Sequence, residues 1–263
     1  MKLDNDLFVR NLQGMCRIPT VSSADPDKID KKAYLELHRY LEETYPLVHK
    51  TMTKDIVGRV GLLYHWKGTG KSAKLPLLLT AHQDVVPEGD HSAWKYPPYE
   101  AVIAEGCIWA RGSTDSKCNI QGYMDALELL IANGFTPDYD IYLAFGYNEE
   151  IMGGPEASAG LIADELKSRG VQFGLVIDEC GGIYEQPGGG LVATIYSSEK
   201  GYADIEFAKS DPGGHSAMPG PHSSLGMIGR IACIIEDNLF PQRLTQPAID
   251  QLKAMAPYMK EAK

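Results

Sequence analysis

Apolar positions along this chain recur with two different periods up to about residue 180, and their alternation predicts the fold. The short apolar runs Leu77-Leu78-Leu79, Ile141-Tyr142-Leu143-Ala144-Phe145 and Leu175-Val176-Ile177 are too short for helices and are bounded by Pro or Gly, as buried strands are. Helical patterns lie between them. One runs from about Cys118 to Asn133, with Ile120, Met124, Leu127 and Leu130 on one face and Gly134 placed as a C-terminal cap. A second runs from about Ala157 to Arg169 and ends at Gly170, and Leu7, Phe8, Leu12 and Met15 give the N-terminus the spacing of an amphipathic helix. Strands separated by helices imply an α/β fold, a mainly parallel sheet with helices on both faces in three layers. Such sheets bind ligands beyond the carboxyl ends of their strands.

The pattern changes after Gly188-Gly189-Gly190. Leu191 to Ser197 and Tyr202 to Ala208 read as strands joined by a turn at Lys200-Gly201, so antiparallel pairing is expected. Two further helices are predicted, one over about Ser224 to Asn238 and one from Pro247 onward, where Pro suits the first turn. A domain boundary is therefore placed near residue 198, separating 1–197 from 198–263.

Composition narrows the function. The net charge of -10, with acids spread along the chain, excludes a nucleic-acid or anionic-membrane surface, which needs clustered Lys and Arg. No run of about 18 apolar residues predicts a membrane span. The five cysteines contain no C-x-x-C pair and are odd in number, so neither a disulfide framework nor a cysteine-zinc site is indicated, and a cytoplasmic location is expected. Cys107, Cys118 and Cys180 read as buried small apolar residues.

Candidate chemistry gathers where strands end. Just past the first strong strand, Thr80-Ala81-His82-Gln83-Asp84 puts His82 and Asp84 on the same side of an extended backbone. Asp115, in Arg111-Gly112-Ser113-Thr114-Asp115-Ser116-Lys117, stands directly before a helix, where an N-cap role competes with a functional one. Glu149 and Glu150 follow an apolar strand and precede Met152-Gly153-Gly154-Pro155, and Asp178 and Glu179 follow another before Gly181-Gly182. The intervals between these sites are each of strand-helix-strand length, so the fold can assemble them. Imidazole with several carboxylates suits zinc, cobalt or manganese. A carboxylate bridging two such ions about 3.5 to 4 Å apart would let an acidified water attack a carbonyl. Other catalytic signatures fail: Gly68-Thr69-Gly70-Lys71-Ser72 lacks the first glycine of a phosphate loop, and H-E-x-x-H and G-x-S-x-G are absent.

The motifs AHQDVVP, RGSTDSK, YNEE, IDECGG and GGHSAMP, in that order over about Leu75 to Pro219, resemble the zinc-dependent aminoacylase and carboxypeptidase S-type family of two-zinc metallopeptidases. The resemblance implies that His82 binds one zinc with Asp84 orienting it, that Asp115 bridges both ions, and that Glu150 binds the second. Glu149 would be the general base, and Asp178, preferred to the adjacent Glu179, would join His82. His215, in Gly213-Gly214-His215-Ser216, would stabilise the oxyanion from a lid domain that also forms a homodimer. The expected reaction is hydrolysis, by metal-activated water, of the amide bond of dipeptides or N-acyl amino acids beside a free carboxylate.

Family members usually run further, returning from the lid to supply a final His to the second zinc, yet no histidine follows His222. The expectation is thus a C-terminally truncated enzyme: 1–197 as an incomplete catalytic domain and 198–263 as the first part of an α+β lid. The rival expectation is an inactive fragment or pseudoenzyme serving as a binding or dimerisation module.

Overall fold

A computed structural model of the chain describes residues 4–151, 154–185, 190–198 and 201–258. Met152-Gly153, Gly188-Gly189 and Lys200, named above, lie outside those residues. The chain separates into two units, Met1–Glu179 and Cys180–Lys263. The boundary expected near residue 198 thus falls inside the second unit, beyond its hairpin.

The first unit opens with α1 (Asn5–Cys16), started by Asp4, whose side chain accepts the Leu7 N–H. Then follow α2 (Lys31–Thr44), α3 (Pro46–Thr51), β1 (Thr53–Val57), β2 (Gly61–Trp66) and β3 (Leu77–His82). A small hairpin, β4 (Val102–Ala104) and β5 (Cys107–Trp109), precedes α4 (Lys117–Ala132), β6 (Ile141–Gly146), α5 (Ser158–Ser168) and β7 (Leu175–Ile177). The main sheet has the order β1-β2-β6-β3-β7. The strands expected from the apolar runs, β3, β6 and β7, form its parallel part, with Leu77 level with Ile141 and with Leu175. The antiparallel β1–β2 hairpin, which the sequence did not predict, extends the sheet on the far side of β6.

Period-two alternation splits the sheet's side chains between two cores. Leu143 and Phe145 of β6 pack with Leu62 and Tyr64 of β2, Leu37 and Leu41 of α2 and Ile120 and Met124 of α4. Their neighbours Tyr142 and Ala144 pack with Leu63, Leu78 and, from α5, Ile162 and Leu166 on the other face. Each fully buried aliphatic side chain there contributes roughly 1.5–3 kcal/mol. Helices on both faces make the unit an α/β three-layer structure. β7 corrects one expectation, because it is a strand but not a buried one: Leu175, Val176 and Ile177 are 57%, 53% and 42% exposed. Among the described residues its one strand neighbour is β3.

The second unit contains β8 (Gly182–Glu185), β9 (Leu191–Thr194), α6 (Ser224–Asp237) and α7 (Gln246–Met255). The antiparallel pairing expected for Leu191 onward occurs, but its partner is β8, with Gly182 level with Thr194. The segment just before the glycine-rich stretch takes that place, and 202–208 is not strand. Ser223 caps α6 by accepting the Gly226 N–H, and Pro247 lies in the first turn of α7. No helix among the described residues is long and apolar enough to cross a membrane. Cys107 and Cys180 are exposed and Cys118 is half-buried, against the expectation that all three are core residues; β4–β5 is a surface hairpin, and position 180 begins the second unit.

Candidate metal centre

His82 is the last residue of β3, at the carboxyl edge of the parallel strands and level with Gly146 of β6. Its ring is almost wholly buried and held from both sides. Nδ1 lies 2.9 Å from the main-chain oxygen of Asp84 and 3.4 Å from its carboxylate. Nε2 faces acids: it is 2.9 Å from Asp115, 3.2 Å from Glu179 and 3.8 Å from Glu149. The carboxylate of Asp84, itself fully buried, accepts the main-chain N–H groups of Glu149 at 3.2 Å and Glu150 at 3.1 Å. One side chain therefore abuts the imidazole and fixes the loop that follows β6.

Asp115 stands one residue before Ser116, the N-cap position of α4, and no side chain caps that helix. The competing role as a helix cap is thus not taken up, and the Asp115 carboxylate goes to His82 instead. Ser116 Oγ accepts the His82 N–H at 3.2 Å, tying the strand end to the helix start. The approach is close: Gly112 has φ +84°, and a Cβ there would stand 2.9 Å from Val85 Cγ1, so only glycine fits without a shift. Lys117, wholly buried, donates to Ile18 O at 2.6 Å and Met15 O at 3.2 Å, anchoring the start of α4 on the end of α1. Burial lowers its ammonium to about 8, against the pull of Cys16 and Asp84.

The loop after β6 is built to present its two acids. Asn148 Oδ1 accepts the Ser158 N–H at 2.8 Å, its amide donates to Glu156 O, and Ser158 Oγ accepts the Tyr147 N–H at 3.0 Å. Desolvation, reinforced by Glu179, Glu150 and Asp84, pushes Glu149 up to about 7 against the favourable charge of His82. Glu150 is raised by desolvation and by Asp115. For His82, burial alone would lower the pKa, but hydrogen bonding and charge from Asp84 and Glu179 outweigh it and raise the ring to about 11. Glu179 is held low by its hydrogen bond to His82.

Of the pair after β7, it is Glu179 that reaches the imidazole. Asp178, the residue preferred from sequence, accepts from Thr80 Oγ1 at 2.5 Å and from the Glu179 N–H at 2.9 Å, and its side chain is exposed. Thr80 projects from the same face of β3 as His82, and it captures the first acid past the strand. His215 belongs to the second unit, where it is exposed and its Nδ1 accepts the Ala217 N–H at 3.2 Å.

Two sets of three side chains can each offer ligand atoms within 4.8 Å of one another: His82, Asp115 and Glu150, and His82, Glu149 and Glu179. The donors are one imidazole and several carboxylates, a set suited to a hard or borderline divalent cation. Acids crowded about one ring carry mutual repulsion that a cation offsets, and this repulsion adds to desolvation, the larger cause, in raising Glu149 and Glu150. The residues present fit a metal.

Gln83, Ser116, Lys117 and the role of Glu179 were not read from sequence. Gln83 did carry a signal, since an amide between two candidate ligands on a strand must project to the opposite, core-facing side and find partners there. Lys117 and Ser116 carried none, because their contacts come from segments distant in the chain.

Residues 78–253 match the peptidase family M20/M25/M40. The chain is 36% identical over 243 residues to carboxypeptidase S of Saccharomyces cerevisiae, covering 88% of this chain and 42% of that protein. It is 35% identical over 236 residues to the N-fatty-acyl-amino acid synthase/hydrolase PM20D1.1 of Danio rerio, covering 88% of this chain and 45% of that protein. The chain thus spans under half the length of these relatives. Among solved structures, the fold is similar to the M20 family metallo-carboxypeptidase Sso-CP2 from Sulfolobus solfataricus, with TM-score 0.54 at 21% identity over 71% of this chain and 39% of that one. It is also similar to human carnosine dipeptidase 1, with TM-score 0.52 at 18% identity over 66% of this chain and 38% of that one.

Proposed function

This chain belongs to the peptidase family M20/M25/M40, and from that premise we propose that it carries the metal-binding half of a hydrolase cleaving the amide bond of dipeptides or N-acyl amino acids beside a free carboxylate. The observation that carries the reading is the convergence on His82 of two acid sets drawn from three separate segments, those after β5, β6 and β7. The names of the relatives, a carboxypeptidase and an N-fatty-acyl-amino acid hydrolase, support the substrate class.

Zinc is the proposed metal, two ions per complete site, with cobalt or manganese compatible with the same donors. His82 would hold the first, Asp115 would bridge, and Glu150 would hold the second. The acid sharing His82's ion comes from the pair after β7: Asp178 by the family pattern, with Glu179 filling the place beside the ring. Held by these residues, zinc would supply Lewis-acid polarisation of the scissile carbonyl and acidification of water. Glu149, held near neutrality, accepts the water's proton and returns it to the leaving amine. Asp84 keeps Nδ1 engaged, so that Nε2 is the nitrogen turned to the acids.

Residues 198–263 are proposed as the beginning of a lid that supports homodimerisation, with His215 stabilising the developing oxyanion, and the location as cytoplasmic. Glu149→Gln tests the reading: zinc content should persist while hydrolysis of dipeptides and N-acyl amino acids falls by orders of magnitude, and undiminished turnover would reject Glu149 as the base.

A further inference from the structure

Gln83 stands between His82 and Asp84, yet its side chain is fully buried on the opposite side of the chain. Its amide occupies the centre of a polar knot in the core. Nε2 lies 3.0 Å from Val60 O, 3.0 Å from Phe145 O and 3.2 Å from Gly146 O, while Oε1 lies 2.7 Å from His38 Nε2. Its main chain is engaged as well: the N–H donates to Gly146 O at 2.8 Å, and the carbonyl accepts from Thr20 Oγ1 at 2.6 Å.

Three carbonyls can be met only by the NH2 end of the amide, so its orientation is fixed and Oε1 must face His38. The His38 ring then donates from Nε2. Phe145 and Gly146 end β6, and the chain runs directly from them into Tyr147-Asn148-Glu149-Glu150; Val60 leads into β2. The amide thus bonds carbonyls at the carboxyl end of β6 and just before β2, and it joins the segment bearing His82 and Asp84 to the segment bearing Glu149 and Glu150.

We propose that Gln83, oriented by His38 of α2, is a positioning residue for the metal centre, setting the spacing between the two ligand-bearing segments. It touches neither metal nor substrate and acts through the main chain on either side of it. The inference rests on the metal-binding reading above.

Zinc affinity of the purified chain, measured by competition with a chromophoric chelator well below the unfolding temperature, is the test. Gln83→Leu should bind zinc about tenfold more weakly or worse, the scale found when groups supporting metal ligands are removed. His38→Leu should weaken binding in the same direction, whereas His38→Gln, which keeps an N–H donor, should restore it. Asn11→Ala breaks a buried hydrogen bond to Asp125, 2.7 Å long and about two turns along α4 from the site, and should lower stability while leaving zinc affinity unchanged. Should Gln83→Leu not fold, the two His38 variants decide. Wild-type affinity in Gln83→Leu, or equal affinity in His38→Leu and His38→Gln, would overturn the inference alone. Absence of zinc binding by the wild-type chain would overturn the metal reading and this inference with it.

Discussion

The carboxylate of Asp84 accepts the main-chain N–H of Glu150 at 3.1 Å, joining positions 66 apart in the chain. With its second oxygen on the Glu149 N–H, this buried acid has both ends committed to one loop. Asp84→Asn keeps one acceptor but turns an NH2 group against the other N–H, donor facing donor in a site closed to water. The expected cost is about 2 kcal/mol of stability, read as a lower urea midpoint, because the Glu149 loop is released. An unchanged midpoint would show that the loop does not depend on the carboxylate.

His82 offers a direct probe of which neighbouring acid it feels. Its pKa is raised because the folded site stabilises the cation through Asp84 and Glu179. In metal-stripped protein, Glu179→Gln removes an acceptor and a negative charge, so the ring should lose its proton at lower pH than in wild type. Asp178→Asn should leave the ring's titration nearly unchanged, because that carboxylate is committed to Thr80. Imidazole NMR titrations distinguish the two, and the reverse ranking would assign Asp178 to the ring.

Acid sensitivity should come partly from His38. Burial holds its pKa below the usual 6.5, while the unfolded chain titrates near that value. As pH falls through 6.5 the unfolded state takes up a proton first, so stability declines from there down to the folded pKa and the loss is complete below it. His38→Gln lacks this titration, and its urea midpoint should fall less than that of wild type between pH 7.5 and 5.5. Parallel declines would show that His38 is not the group responsible.

Much of the scaffold was legible because its signals are local. α1, α4 and α5 announce themselves by apolar spacing, and β3 and β6 by short apolar runs between Pro and Gly. α2 had the same kind of signal, with Ala33, Tyr34, Leu37, His38 and Leu41 facing the core, and went unread. The β1–β2 hairpin was hidden because β1 is polar, half-exposed edge, and β9 chose β8 over the segment that follows it because strand pairing is decided between segments.

At the site, the sequence by itself determined which residue types stand at the strand ends: His82 and Asp84, Asp115, Glu149 and Glu150, Asp178 and Glu179. Tertiary structure alone decided which of them meet. Adjacent carboxylates are chemically interchangeable on paper, and only the position of Thr80 across the strand pair gives Asp178 one partner and leaves His82 to Glu179. The buried roles of Gln83 and Lys117 were settled in the same way, since a polar group in a core is defined by the carbonyls that packing brings to it, and those come from residues far away along the chain.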